Sequence, residues 1–299
     1  MNVTSKGIRL VVLILVHTNI RQVIRLIGSI RHPGVVIYLH ADQKCQFDLD
    51  QIPADVHLVQ QRELVTWRSY SQVKAILNSL KEIVDREADA DYISLVSGQD
   101  YPILPMEEIL EELTRKAGKE FIHIRPLDPS GWNSARVRFE RFYFESYRNP
   151  LIRRVGGLLT YVADKLRWKR KFHRGMKPFG GSAWWTLSRP CIVYILDYLK
   201  KNRSFVRFMK KTIHADEMLF QSVIMNSSFA SRVENDNLRH IEWIRGHPNP
   251  NILIGADFDR IVASGKHFAR KFDTKVDEEV LNRIDRYRAN RLASRNQVR

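Results

Sequence analysis

Leu10-Val11-Val12-Leu13-Ile14-Leu15-Val16 is the stretch on which the fold turns. Every side chain in it is apolar, and β-branched residues fall on both sides. A run bounded by Arg9 and by His17-Thr18-Asn19 therefore reads as a strand buried on both faces, as in a parallel sheet. It is too short to cross a bilayer, which takes about 20 apolar residues. No small-residue cleavage site follows it, so it does not read as a signal peptide. Moving outward, Ile20, Val23, Ile24, Ile27 and Ile30 recur at helical spacing. Pro33-Gly34 marks a turn, and residues 35–39 form a second strand that ends in His40-Ala41-Asp42. Strand, helix and strand in this order imply a βαβ unit with a right-handed crossover.

The same alternation continues. Strands are expected at 56–59, 92–96 and 120–124, and helices at 69–84 and 105–113. Residues 126–178 are irregular, aromatic and basic, and read as a loop-rich insertion. Beyond them come a strand at 182–187, helices at 190–201 and 215–225, and a strand at 238–243. The charged tail from Asp277 reads as a helix that frays toward Arg299. Four strand ends carry polar residues: His17-Thr18-Asn19, His40-Ala41-Asp42, Gln60-Gln61-Arg62 and Ser97-Gly98-Gln99-Asp100. Ligands of open α/β sheets bind beyond the carboxyl ends of the strands, so a nucleotide is a plausible occupant. No GxGxxG or Walker A sequence is present, which argues against a dinucleotide oxidoreductase or a P-loop NTPase.

The chain has 299 residues, 44% of them apolar, which is enough for one sizeable core. The formal net charge of +16 predicts attraction to polyanions: nucleic acid, an anionic membrane face or phosphorylated substrates. Between Arg153 and Lys177 the bases are densest, with Asp164 as the single acid. That stretch reads either as a solvated face or as a functional patch. Cys45 and Cys191 have no CxxC partners, so the chain carries no zinc or redox motif of that kind. A reducing, cytoplasmic compartment is expected.

Several ordered blocks go further. They are HADQK at 40–44, WRSYSQVKA at 67–75, SLVSGQDYPI at 94–103, PFGGSAWWTLSR at 178–189, HADEMLFQ at 214–221 and FARKFD at 268–273. Together they resemble glycosyltransferase family 14, which contains the core-2/I-branching β-1,6-N-acetylglucosaminyltransferases and the peptide O-xylosyltransferases. The resemblance runs from about Ile8 to Asp273. It implies an α/β, GT-A-like fold: a Rossmann-type nucleotide-binding half at 1–125, and an acceptor and catalytic half at 126–276 completed by a mixed sheet. The basic segment 150–178 would lie in the second half, and 277–299 would be a charged helix or tail. The implied reaction is inverting and metal-independent, with a UDP-sugar donor, most readily UDP-N-acetylglucosamine.

The resemblance also implies roles for residues. Glu217 matches the family's catalytic glutamate, which an acceptor hydroxyl needs as a base. Lys271 matches a lysine on the diphosphate, with Arg245 or Arg260 as its partner. Val16, His17, Asp42, Trp67 and Asp100 fall at the donor site. Trp184, Trp185 and Asp216 fall on the acceptor side; adjacent strand residues face opposite ways, so one tryptophan would line the site while the other enters the core. No metal is expected, since the matching strand end, Gly98-Gln99-Asp100, carries one carboxylate where metal-dependent relatives of this fold carry two. Asp48/Asp50, Asp89/Asp91 and Asp257/Asp259 spell DxD, but Asp89/Asp91 sits at the wrong end of its strand and the others in expected loops. The acceptor would be a glycan or a lipid-linked glycan, and the basic segment would favour peripheral contact with an anionic membrane. A nucleic-acid or polyanion-binding protein without catalysis is the competing reading. It rests on net charge and the aromatic-basic segment, but no helix-turn-helix, RNP or zinc-finger pattern supports it, so no nucleic acid is expected.

Overall fold

The computed structural model describes residues 7–128, 132–142, 150–244 and 249–298. The first strand, β1 (Leu10–Val16), is followed by α1 (Ile20–Ile30), β2 (Val35–Ala41), β3 (His57–Leu58), α2 (Ser71–Arg86), β4 (Tyr92–Ser97), β5 (Asp100–Pro102), α3 (Met106–Arg115) and β6 (Glu120–Pro126). Then come α4 (Val137–Glu140), α5 (Pro150–Lys165), β7 (Phe179–Ser188), α6 (Arg189–Lys201), α7 (Arg203–Met209) and α8 (Leu219–Met225). Two short strands, β8 (Val233–Glu234) and β9 (Arg239–Ile241), precede α9 (Phe258–Ala263), β10 (Phe268–Arg270) and α10 (Glu279–Val298).

The main sheet has the order β3-β2-β1-β4-β7-β6-β8. All pairings are parallel except those of β7, which runs against both β4 and β6. The sheet is therefore mixed, and the carboxyl ends of β1, β2, β4 and β6 share an edge with the start of β7. The strand order reverses at β1, between β2 and β4, the place where open α/β sheets leave a crevice for a ligand.

The all-apolar reading of β1 has a direct structural cause. Leu10, Val12, Ile14 and Val16 pack into one core with α1, α3 and α10, while Val11 and Leu13 pack into the other with α2, α6 and α8. Helix α1 is capped by the Asn19 side chain, which accepts from the Gln22 amide. Helix α6 begins at Ser188, which accepts from the Cys191 amide, with Pro190 in the first turn.

The middle of the chain differs from the loop-rich expectation. Residues 150–165 form a helix of 16 residues. Gly156-Gly157 reads as a breaker in sequence, yet Gly156 is buried against the body, where a small residue allows close approach. The expected helix at 215–225 is also broken: Ala215–Glu217 is a 3₁₀ turn, and the α-helix starts only at Leu219. A separate three-stranded sheet, β5-β10-β9, was not expected from strands this short. Among the described residues, no helix is long and apolar enough to cross a membrane.

Candidate active site at the carboxyl ends of the strands

Beyond the ends of β1 and β2 lies a cleft of about 850 Å³, lined by His17, Asn19, Arg21, Lys44, Thr274 and Lys275 among others. Val16 is buried in β1 and delivers His17 to the rim. The His17 imidazole is held below its ordinary pKa by burial, then by Lys44, against a weaker opposing pull from Asp42; Lys271 pushes the same way as Lys44. Three of the sequence-expected donor residues, His17, Asp42 and Lys271, therefore share one electrostatic neighbourhood.

Lys271 reaches this position through β10. Gln22 Nε2 donates to the carbonyls of Gly98 (2.9 Å) and Phe272 (3.1 Å), and the Phe272 amide donates to the Gln99 carbonyl at 2.9 Å. The segment after β10 is thus strapped across the turn after β4. Gly98 is required in that turn, because a Cβ there would sit 2.9 Å from Val23 and 3.1 Å from Val16. Burial, followed by the adjacent Arg270 charge, lowers the Lys271 pKa from the usual lysine range, with Asp273 opposing.

Asp42 is buried and committed to its own turn: its carboxylate accepts from the Lys44 amide (3.0 Å) and the Val65 amide (3.3 Å), and Lys44 Nζ lies 3.4 Å away. Lys44 Nζ also donates to the Val65 carbonyl at 2.6 Å. These bonds tie the loop after β3 to the cleft and carry it on to Trp67. The Trp67 ring is 57% exposed, with the Arg68 guanidinium 4.0 Å over its centroid and His214 edge-on at 6.0 Å.

His214 opens the second half of the site. It adopts the left-handed conformation (φ 52°), which turns the chain into the Ala215–Glu217 turn. Its pKa falls to about 4, by burial first and then by Arg138 and Arg68, so it is neutral at physiological pH. The Glu217 carboxylate is half-buried, ion-paired with Arg138, and 4.0 Å from His214 Nδ1. Arg138 itself stacks 4.4 Å from the Trp132 ring centroid. Asp216 points the other way: it is buried, and Gln72 Nε2 donates to it at 3.0 Å. Burial, and then the neighbouring Glu217 charge, raises its pKa. The turn sits on the start of β7, where a Cβ on Gly180 would come within 3.3 Å of the Glu217 carbonyl. The carboxylate and the cationic cleft therefore occupy the same edge of the sheet, bridged by residues 62–67.

The two tryptophans separate. Trp185 is fully buried against Phe220, so it is a core residue out of reach of any acceptor. Trp184 is half-buried, with Arg270 stacked 4.1 Å over its ring. Asp100 is also sealed; it accepts from the Ser97 amide at 2.9 Å and lies 3.6 Å from Arg270 Nε. Its position orients the strand-end turn rather than a ligand. Arg260 is 60% exposed and bound to Glu242 (3.0 Å) and Asp257 (2.5 Å). Arg245 lies outside the described residues. Sequence reasoning missed Arg138, His214 and Arg270. Arg138 sits in a stretch with no recognisable block, and nothing local in sequence announces that it meets a residue 79 positions away.

The chain is 22% identical to the xylosyltransferase oxt of Drosophila pseudoobscura pseudoobscura over 95% of its own length, and 25% identical to xylosyltransferase 2 of Rattus norvegicus over 95%. Each alignment spans 34% of the relative, so the chain covers about a third of the length of these xylosyltransferases. The beta-glucuronosyltransferase GlcAT14B of Arabidopsis thaliana is 27% identical over 87% of the chain and 61% of the relative. The solved apo structure of mouse xyloside xylosyltransferase 1 superposes with a TM-score of 0.39 at 12% identity, covering 79% of this chain and 88% of that one. The family model described as Core-2/I-Branching enzyme matches residues 13–260. That span takes in β1 from Leu13 onward, the wall of the cleft from His17 to Phe47, the Trp67 loop and Glu217, and the chain belongs to the Core-2/I-branching enzyme family.

Proposed function

We propose that the protein transfers a sugar from a UDP-sugar to an acceptor hydroxyl with inversion at the anomeric carbon, and that Glu217 is the general base. One observation carries this reading: a half-buried carboxylate shares the sheet edge with a cationic cleft, joined to it by a loop that presents an exposed tryptophan. In the reaction, His17 and Trp67 take the uridine, Asp42 holds the turn beside them, and Lys271 faces the diphosphate. Glu217 accepts the hydroxyl proton as the acceptor oxygen attacks the anomeric carbon. The bond from that carbon to the diphosphate oxygen breaks, and UDP departs with the electron pair. Preplaced positive charge at Lys271 favours the transition state, in which negative charge grows on the departing diphosphate. Arg138 holds Glu217 in place through their ion pair until the acceptor hydroxyl takes up part of the same carboxylate.

The same reading needs no divalent ion. The strand-end carboxylate, Asp100, is buried beneath Ser97 and Arg270. The DxD spellings are committed elsewhere. Asp48 caps a 3₁₀ turn by accepting from the Asp50 amide, Asp91 accepts from the Arg9 amide at 2.8 Å, and Asp257 accepts from the Ile254 amide at 2.9 Å. Both cysteines are unpaired, which suits the reducing cytoplasm expected from the sequence. The acceptor in this reading is a glycan, free or lipid-linked.

The test is UDP binding and UDP-sugar turnover in EDTA, for wild type and Glu217→Gln. The relatives are named for xylosyl and glucuronosyl transfer, so UDP-xylose and UDP-glucuronic acid are set beside UDP-N-acetylglucosamine. UDP is expected to bind both proteins without metal, while turnover falls roughly 10²- to 10⁴-fold in the variant. Binding only with a divalent cation would overturn metal independence. If no UDP-sugar binds at all, the transferase reading fails and polyanion binding takes its place.

A further inference from the structure

We infer that α5 is an in-plane anchor that seats this face of the protein on an anionic lipid bilayer. The helix has two apolar faces of different kinds. Gly156, Thr160 and Ala163 form a narrow stripe of small residues turned to the body. Ile152, Val155, Leu159, Val162 and Leu166 recur at steps of three and four along another face, with Leu158 beside them. Each of these six side chains is between 43% and 69% exposed. A helix held by its small residues while its large ones face outward is the reverse of ordinary packing, in which the large apolar side chains go to the core. A contiguous apolar surface of this kind marks a contact with something apolar.

The surroundings specify what that contact is. Arg154 and Lys165 flank the apolar face and are exposed, and Arg167, Lys169, Lys171 and Arg174 continue past the end of the helix, all exposed. The one acid in the stretch, Asp164, is neutralised by Arg141. Tyr161 and Trp168, 59% and 66% exposed, stand where the helix meets the basic run. Aromatic and basic side chains bordering an apolar face are the side chains that settle at the headgroup level of a membrane while the face enters the acyl boundary. A second cleft, of about 870 Å³, adjoins the end of α5; Arg136, Arg141, Arg167 and Lys169 line it with Trp168, and they outnumber the two acids there, Glu140 and Asp164. It offers room and positive charge for a phosphate headgroup. A protein partner or a nucleic acid would use the bases or the apolar face; a bilayer of anionic lipid uses both together.

The experiment is density-gradient flotation of the full chain with phosphatidylcholine vesicles and with vesicles that also contain phosphatidylglycerol. The wild type is expected to float with the anionic vesicles, at least about tenfold more than with the neutral ones, and less in high salt. A Val155→Glu, Leu159→Glu, Val162→Glu variant is expected to stay at the bottom while keeping the wild-type melting temperature, because all three positions are already exposed. Arg154→Glu with Lys165→Glu is expected to reduce binding to anionic vesicles by roughly tenfold or more. The inference is overturned if the wild type does not float with anionic vesicles, or if the triple variant floats like wild type, which would leave charge alone as the cause. It is also overturned if sedimentation shows a dimer that the triple variant dissolves, which would make a second copy the cover of this face.

Discussion

At the scale of the residue, the pair Asp216-Glu217 shows how burial gives two adjacent carboxylates different chemistry. Glu217 keeps solvent contact and an arginine, whereas Asp216 is enclosed and accepts from the Gln72 amide. The Asp216 pKa is raised, by burial and by the Glu217 charge, to about 7 from an ordinary value of 3.8. The folded state therefore holds a proton that the unfolded chain releases. The stability from neutral Asp216 is complete below pH 3.8 and is lost as pH rises through 7. Asp216→Asn, which keeps an acceptor for Gln72, is expected to raise the melting temperature at pH 8 and to change it little at pH 3. Thermal unfolding of both proteins at the two pH values checks this, and an equal shift at both would sink the titration argument. His214 acts in the opposite sense: with its pKa lowered to about 4, its contribution is complete above 6.5 and fades as pH falls below that value. Spacing alone would assign both acids to the dipole of a helix N-terminus; only the third dimension separates their roles.

At the scale of the element, the parts legible in sequence were those whose burial is periodic. Strand β1 and helix α1 appear with the bounds expected, and β2, β4 and α2 to within about two residues, because each buries a full face in one of the two cores. What was illegible depends on partners distant in sequence. Strand β10 lies between β5 and β9 with three residues each, too few for any pattern. Helix α5 lies hidden inside a segment that reads as irregular, aromatic and basic, although its large apolar residues recur at helical spacing. The β6–β7 pair depends on a detail of the same kind. Its register shifts between Ile122 and Ile124, and the Asn235 amide replaces the missing ladder bonds by accepting from Ile124 N (2.6 Å) and donating to Ile124 O (3.1 Å). Opposite the shift, a Cβ on Gly181 would fall 1.8 Å from the His123 carbonyl oxygen, so the strands must separate to admit one. Gly181→Ala is expected to cost about 1–3 kcal/mol, by the size typical of overpacking. Because Gly180 next to it supports the Glu217 turn, turnover should fall as well. Urea unfolding measures the first effect, and a midpoint equal to wild type would show that β6 and β7 accommodate the methyl group.

At the scale of the whole molecule, the charged C-terminal segment is also a structural clasp. Helix α10 reads in sequence as a tail, yet Val280, Leu281 and Ile284 are fully buried in the core that contains β1 and α1. Its polar residues reach three elements. Arg25 of α1 donates to Asn282 (2.7 Å) and Asp285 (2.8 Å), the Tyr101 hydroxyl donates to Asp285 at 2.8 Å, and Arg291 bonds Glu108 of α3 at 2.9 Å. Fully burying an aliphatic side chain is worth about 1.5–3 kcal/mol, so the three together contribute roughly 5–9 kcal/mol. A whole domain is stable by only about 5–15 kcal/mol. Deleting residues 278–299 is therefore expected to unfold the protein or bring it close to unfolding at 37 °C, although the deletion leaves every proposed catalytic and donor-site residue in place. The segment just before α10 lines the cleft proposed for the donor through Thr274 and Lys275, so on that proposal a chain that folded without the helix should still lose UDP affinity as that wall loosens. Circular dichroism on heating separates the two effects. A truncated chain with the wild-type melting temperature and wild-type UDP binding would show that α10 rests on the core without holding it. A cooperative transition that vanishes would show that the basic C-terminal helix completes the fold on which the site depends.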